Sequence, residues 1–437
     1  MNDERSLALA VVHKLRDAGF EALWAGGCVR DQLLGLQPHD FDVATSARPE
    51  DVRGLFRRTI AVGASFGVIE VLGPKTDGET LKVQVATFRV EGPYSDGRRP
   101  DEVHFSTAEE DAKRRDFTIN GMFFDPVEQH VIDYVGGQAD LAARILRAIG
   151  DPHERFTEDK LRLLRAVRFA ARFDLQIEPR TLAAIRAMAD QIKVVSAERI
   201  GDELRKMATH ANRVRAVTLL WETGLMQPLF PELVPLKGFL GESAGSPAGD
   251  LWDHVERVLA NLEAPSFPLA FSALLHEVGK PHTHQGHAKA GYELASAICL
   301  RYRLSNAERE RVEWLVERHE SLRSAQQMRL SALKTILAHP GIRELLALHR
   351  ADTLADGGSV EHLEFCERRL EEWSEAELKP PPLLTGDDLL RMGLKAGPRF
   401  KEILDRVYEA QLEGHVTKLE EAKKLAEEIV REMEGRP

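Results

Sequence analysis

A chain of 437 residues exceeds one ordinary hydrophobic core, so roughly two to four domains are expected. Aromatic residues make up 6% and charged residues 30%, a helix-rich balance, and no apolar run approaches the roughly 18 residues that cross a bilayer, which speaks against a membrane partner. The net charge of −11 excludes a uniformly basic nucleic-acid binder, and three scattered cysteines (Cys28, Cys299, Cys366) exclude a disulfide framework. Met1–Arg5 lacks the basic and apolar regions of a signal peptide, so a cytoplasmic location is expected, with the cysteines used in packing.

In chain order, residues 1–140 read as mixed α/β. A helix through Leu7–Asp17 leads to a strand at Leu23–Ala25, with strand-like runs at Phe41–Ala44, Gly67–Leu72, Leu81–Phe88 and near Thr118–Phe124. Residues 141–237 turn helical, as the apolar spacing of Leu161, Leu164, Val167, Phe169 and Ala170 indicates. This region holds the basic charge. Arg144–Arg215 carries 16 Lys and Arg against 10 Asp and Glu, as an RNA-backbone contact surface requires, although a solvated helical face has the same composition. Gly238–Asp250 is the clearest linker. A second helical, histidine-containing block runs over 251–357, and Lys379–Pro382 precedes a helical tail at 383–437.

The chemistry begins at the first strand. Leu23–Ala25 runs into Gly26-Gly27, whose bare backbone allows close approach of a phosphate chain, and a short helix follows with Arg30 near its start. In Asp40-Phe41-Asp42 the two carboxylates lie two apart, so on a strand they share a face and repel unless a cation joins them. Mg²⁺ with nucleotide phosphates answers that need. In Arg114-Arg115-Asp116-Phe117-Thr118-Ile119-Asn120, Arg115 suits a triphosphate, and Asp116 and Asn120 hold a ribose or fix nearby loops. On a helix, Asp159, Arg162 and Arg165 share one face, and Arg168 extends the row. A carboxylate accepts from an exocyclic amino group while an arginine donates to a ring nitrogen. Cytosine and adenine both fit that pair; uracil and guanine invert it.

The segments GGCVRD with DFD, RRDFTIN, EDKLRLLRAVRF, ERIGDEL (Glu198–Leu204) and the tail motifs Leu384–Leu389, Gly397-Pro398 and Gln411–Gly414 resemble, in order, the class II tRNA nucleotidyltransferases, the family of bacterial CCA-adding enzymes and poly(A) polymerases within the DNA polymerase beta superfamily. The resemblance implies an α+β fold: a small mixed-sheet head, an all-α neck, an HD-type helical domain and a helical tail that grips the tRNA elbow by shape. It implies that Asp40 and Asp42 bind two Mg²⁺ ions, that Gly26, Gly27, Arg30 and Arg115 hold the triphosphate, and that Asp159 and Arg162 pair with the base, supported by Arg165 and Arg168. Expected partners are tRNA, ATP and CTP, with the oligomeric state left open. Gln84 stands where many relatives carry a third carboxylate. Either two aspartates suffice, the favoured reading, or Glu70 on a neighbouring strand compensates. The polar, Gly/Pro-rich stretch Pro93–Pro100 matches the loop that relatives need for the terminal adenosine. Addition of CCA is therefore expected, with addition of a single A as the alternative and poly(A) or CC addition behind it.

His254, His276-Glu277, His287, His319 and Asp352 resemble the HD phosphohydrolase pattern, a candidate site for a divalent transition metal. Glu277 replaces that family's aspartate, and its extra methylene leads to the expectation of a weakened or inactive site within a helical spacer.

Overall fold

The computed structural model describes residues 3–38, 40–63, 67–76, 78–92, 102–240, 249–283 and 286–434. The chain divides into two compact units, Met1–Pro231 and Glu232–Pro437. The stretch Pro93–Pro100 and most of the linker at 241–248 lie outside the described residues.

In the first unit α1 (Glu4–Asp17) begins where the Asp3 side chain accepts from the Ser6 N–H at 2.7 Å, and it buries Ala8, Val11, Val12 and Leu15 at helical spacing. The strands are β1 (Ala22–Ala25), β2 (Asp42–Thr45), β3 (Thr59–Gly63), β4 (Val68–Thr76), β5 (Glu79–Thr87), β6 (Arg89–Glu91), β7 (Val103–Phe105), β8 (Phe123–Asp125) and β9 (His130–Ile132). Seven of them form one sheet in the order β3-β4-β5-β2-β1-β8-β9, while β6 and β7 pair separately. β2 lies inside the sheet, antiparallel to β1 and parallel to β5. Its register places Asp42 opposite Ala25, the residue before the Gly26-Gly27 turn, so glycines and carboxylate emerge side by side. Trp24 anchors this corner against Phe41 and Phe124, at ring-centroid separations of 4.9 and 5.7 Å.

Short helices α2 (Gly27–Leu33), α3 (Pro49–Leu55), α4 (Ala108–Lys113) and α5 (Gly137–Ala142) flank the sheet. Beyond them come α6 (Pro152–Glu158), α7 (Leu161–Arg172), α8 (Pro179–Met188), α9 (Ala197–Ala208), α10 (Arg213–Glu222) and α11 (Met226–Leu229), interrupted by a two-residue parallel pair at Ile145–Leu146 and Gln176–Ile177.

One expected strand starts later than its run suggests. Thr118–Asn120 is a 3₁₀ turn, closed by Asn120 N–H to Phe117 O at 2.9 Å and Gly121 N–H to Thr118 O at 3.0 Å, and the strand begins only at Phe123. Asp116 favours this local closure because its Oδ1 accepts from both Phe117 N–H and Asn120 Nδ2.

The second unit is helical among its described residues: α12 (Leu251–Ala260), α13 (Phe267–Leu275), α14 (His287–Arg301), α15 (Asn306–Arg318), α16 (Leu330–Leu337), α17 (Ile342–Ala355), α18 (Glu361–Glu372), α19 (Glu375–Leu378), α20 (Gly386–Arg391), α21 (Arg399–Leu412) and α22 (Leu419–Glu434). The last helices share their own small core around Leu389, Ile403, Val407 and Ile429. No described helix is long and apolar enough to cross a membrane.

Candidate active site

A cleft of about 510 Å³ opens within the first unit. Gly26, Gly27, Arg30 and Asp42 form one wall; Arg114, Arg115, Asp116 and Asn120 form the next; Asp159, Arg162, Arg165, Arg168, Phe169 and Arg172 close it. The head-domain residues expected to bind nucleotide or metal line this cleft except Asp40. β2 opens at Asp42, so Asp40 precedes the strand and is exposed.

Gly26 is a positive-φ residue (φ 73°), and a Cβ there would stand 3.0 Å from Arg115 Nη1, so only glycine makes this turn against that arginine. The Asp42 carboxylate opens to the cleft, yet the surrounding protein mass and then Asp40 push its pKa up to about 6, with Arg115 opposing. Burial and the same two aspartates also raise Glu4, a neighbour with no signal in its sequence context. Neither the Asp40 nor the Asp42 carboxylate has a hydrogen-bond or ion-pair partner among the described residues. Crowded, unpartnered carboxylates of this kind fit a divalent cation. By register Gln84 lies beside Asp42, and Glu70 one strand further on. Two strand spacings, about 10 Å, separate the strands of Glu70 and Asp42, and Lys82 already stands 3.5 Å from Glu70. That geometry favours the two-aspartate reading.

The arginines are held by carboxylates. Asp111, buried on α4, is divided between two of them: Oδ1 accepts from Arg114 Nε and Nη2 (2.9 and 2.6 Å), Oδ2 from Arg115 Nε and Nη2 (3.2 and 3.0 Å). Its spacing of three and four residues ahead of Arg114 and Arg115 on a helix was the available sequence signal. Arg30 donates to Asp31 (2.8 and 2.6 Å) and to Asn120 Oδ1 (2.6 Å) while lying over the Phe173 ring. Arg162 pairs with Glu158, Arg165 reaches Asp116 Oδ2 at 2.9 and 2.7 Å, and Arg168 pairs with buried Glu203 from the ERIGDEL segment. Four of the 16 basic residues between Arg144 and Arg215 thus line the cleft.

Asp159 corrects a second expectation. It is not on the arginine helix but in extended backbone (φ −142°, ψ 105°) between α6 and α7. Its Oδ1 accepts from the Leu161 N–H at 3.0 Å, starting the new helix, and its Oδ2 accepts from Arg199 Nη2 at 2.7 Å.

Burial alone would raise the Asp116 pKa, but Arg165, Asn120 and Arg162 hold it down at about 2, below the ordinary 3.8. The resulting stabilisation, on the order of 2 kcal/mol, is complete above the unfolded-state pKa and is lost as pH falls through about 2. Asp116→Asn should therefore flatten the pH dependence of denaturant stability between pH 5 and 2; an unchanged slope would show that this carboxylate is not the linked group.

In the second unit six residues expected from the sequence converge. His254 Nε2 lies 3.3 Å from His276 Nε2 and 3.0 Å from Asp352 Oδ1, and Glu277 Oε1 lies 3.8 Å from His276 Nε2. His254, His276, Glu277 and Asp352 form one group with metal-ligand spacing; His287 and His319, joined by Glu320, form a second. The Nδ1 atoms of His276 and His319 lie 2.8 and 2.7 Å from the Ala273 and Val316 carbonyls, to which they donate, so Nε2 is the atom each ring has left for the cluster. Among the described residues buried His319 Nε2 and Glu277 Oε2 have no hydrogen-bond partner, while His287 Nε2 lies 3.1 Å from Glu320 Oε2. These donors fit a metal ion. Lys280 Nζ, 2.5 Å from Glu277 Oε1, and Arg323 Nη2, 3.2 Å from Asp352 Oδ2, also reach the cluster. Burial opposes charge on Asp352, but His254 and His276 hold its pKa well below the carboxylate range.

Comparison with known proteins gives these two sites a family. Family models match in chain order: a poly A polymerase head domain at 22–147, a probable RNA- and SrmB-binding site of polymerase A at 174–236, and an HD domain at 251–355. Poly(A) polymerase I of Escherichia coli is 34% identical over 410 residues, 86% of this chain and 83% of that protein. The chain belongs to the bacterial CCA-adding enzyme and poly(A) polymerase family. Within it, the CCA-adding enzyme of Levilactobacillus brevis is 44% identical over 226 residues, 52% of this chain, and that of Enterococcus faecalis 44% over 221 residues. The chain spans about half the length of these curated relatives, 55% and 53%. The crystal structure of the Bacillus stearothermophilus CCA-adding enzyme in complex with CTP superimposes with a TM-score of 0.74 at 27% identity, covering both chains completely.

Proposed function

We propose that this chain adds C, C and A to the 3′ end of tRNA without a template, using CTP and ATP. The observation that carries the reading is one cleft holding both the unpartnered Asp42 carboxylate and the Asp159–Arg162 pair. The CCA-adding relatives at 44% identity support it. Asp40 and Asp42 would hold Mg²⁺, which when bound activates the 3′-hydroxyl and neutralises the leaving pyrophosphate. Gly26 and Gly27 leave room for the phosphates, with Arg30 and Arg115 beside them. Asp159 accepts from the exocyclic amino group of cytosine or adenine while Arg162 donates to the ring nitrogen. Asp116 and Asn120 keep Arg165 and Arg30 in place. The reading assigns the chain to the cytoplasm.

The alternatives are addition of a single A to CC-ended tRNA and, behind it, poly(A) addition, which the poly(A) polymerase relative aligning over most of the chain supports. Three tRNA transcripts, ending before CCA, after C and after CC, separate the readings when incubated with Mg²⁺ and CTP, ATP or both. Completion of all three is expected. Extension of the CC-ended transcript alone by one A would assign an A-adding enzyme, and a long A tract a poly(A) polymerase.

For the second unit the reading is a divalent transition-metal site on His254, His276, Glu277 and Asp352, with His287 and His319 adjoining, whose hydrolase activity is weak because Lys280 engages the longer Glu277 arm. Metal analysis of the purified protein should find a bound divalent ion, and Glu277→Asp should raise hydrolysis of a phosphodiester about tenfold or more. A metal-free protein with no gain in the variant would assign the unit a purely structural role.

A further inference from the structure

The four arginines facing the cleft from α7, Arg162, Arg165, Arg168 and Arg172, form a row about 15 Å long at 1.5 Å per residue. The first three are matched by Glu158, Asp116 and Glu203. Arg172 is not: among the described residues its guanidinium has neither ion pair nor hydrogen bond, only the Phe173 ring 5.1 Å from its central carbon. It is half-buried, and its surroundings are cationic. Arg30 lies over the same Phe173 ring at 4.2 Å. Burial, followed after its own Asp31 by Arg172 and Arg168, bears on Arg30, whose pKa is lowered; His210 is lowered by burial and then by Arg172 and Arg213. A guanidinium partly withdrawn from water among like charges stores repulsion that an anion relieves.

We infer that Arg172 binds a phosphate group at the end of the cleft remote from Asp159, and that the group belongs to the triphosphate of the incoming nucleotide. The inference deepens the nucleotidyltransferase reading and rests on it for the identity of the ligand. Position selects the triphosphate: Asp159, the base-reading residue, lies ahead of the row, whereas Arg172 ends it beside Arg30. RNA-backbone phosphate offers the same chemistry.

The test is calorimetric titration of the full chain with Mg²⁺-pyrophosphate and separately with tRNA, for wild type, Arg172→Ala and Arg172→Lys. Pyrophosphate affinity should fall about tenfold or more in Arg172→Ala, with Arg172→Lys between. In nucleotide addition KM for CTP should rise in parallel while kcat holds. Unchanged pyrophosphate binding together with weaker tRNA binding, its salt slope reduced by about one, would retain the phosphate contact but overturn the triphosphate assignment in favour of RNA backbone. Equal affinities for both ligands in all three proteins would overturn the inference. An unchanged thermal midpoint in Arg172→Ala excludes unfolding as the cause, since the side chain holds no ion pair or hydrogen bond among the described residues. Pyrophosphate binding is read without turnover, so failure of the addition assay and failure of this contact are separate results.

Discussion

Asp42→Ala should abolish nucleotide addition, by a thousandfold or more on the order of what removing a charge-stabilising group from a reaction centre costs, while tRNA affinity stays close to wild type. Asp42 sits at the start of an interior strand with Asp40 ahead of it, and its carboxylate has no hydrogen-bond or ion-pair partner among the described residues. Removing it relieves repulsion instead of breaking a bond, so the metal-free protein should be as stable as wild type or slightly more so. Loss of activity with an unchanged or raised melting temperature isolates the metal role. Asp42→Asn keeps the volume and should be equally inactive. Addition at a wild-type rate in either variant would refute the assignment.

The second large effect concerns choice of base. Asp159→Ala should reduce discrimination for C and A over U and G by about tenfold to a hundredfold, the range of one good base contact. The substitution also removes the α7 cap, so a stability loss of about 1 kcal/mol is expected beside it. Asp159→Asn separates the two. An amide oxygen still accepts from the Leu161 N–H, whereas the amide NH₂ donates where the carboxylate accepted. The helix-capping contact should return, although the Arg199 ion pair does not, while preference shifts toward U. If both variants select C over U as strongly as wild type, Asp159 is a helix cap and nothing more.

The sequence was most informative where local chemistry dictates geometry. The Gly26-Gly27 turn, the start of a strand at Asp42 and the arginine row on α7 could be read from spacing and residue type, and the six residues of the HD-type cluster from their resemblance to a known pattern. What escaped was long-range partnership. Glu203 is 35 residues from the arginine it neutralises and Arg199 is 40 from Asp159, separations at which no periodicity connects a pair. The position of Asp159 was misjudged because a period of three fits a continuous helix as well as a helix that starts just after it. Thr118–Asn120 misled similarly: β-branched residues suggest a strand, but the Asp116 side chain closes a turn there.

The three thiols have a use that goes beyond packing. All are buried, and burial pushes Cys28 and Cys299 up to about 12 and Cys366 to about 11. A thiol so protonated and enclosed does not react with an alkylating reagent until the fold around it opens. Cys28 belongs to the first compact unit, and Cys299 and Cys366 belong to the second. The chain therefore carries native reporters in both units, and alkylation kinetics resolved by peptide distinguish cooperative unfolding of the whole molecule from independent breathing of its halves.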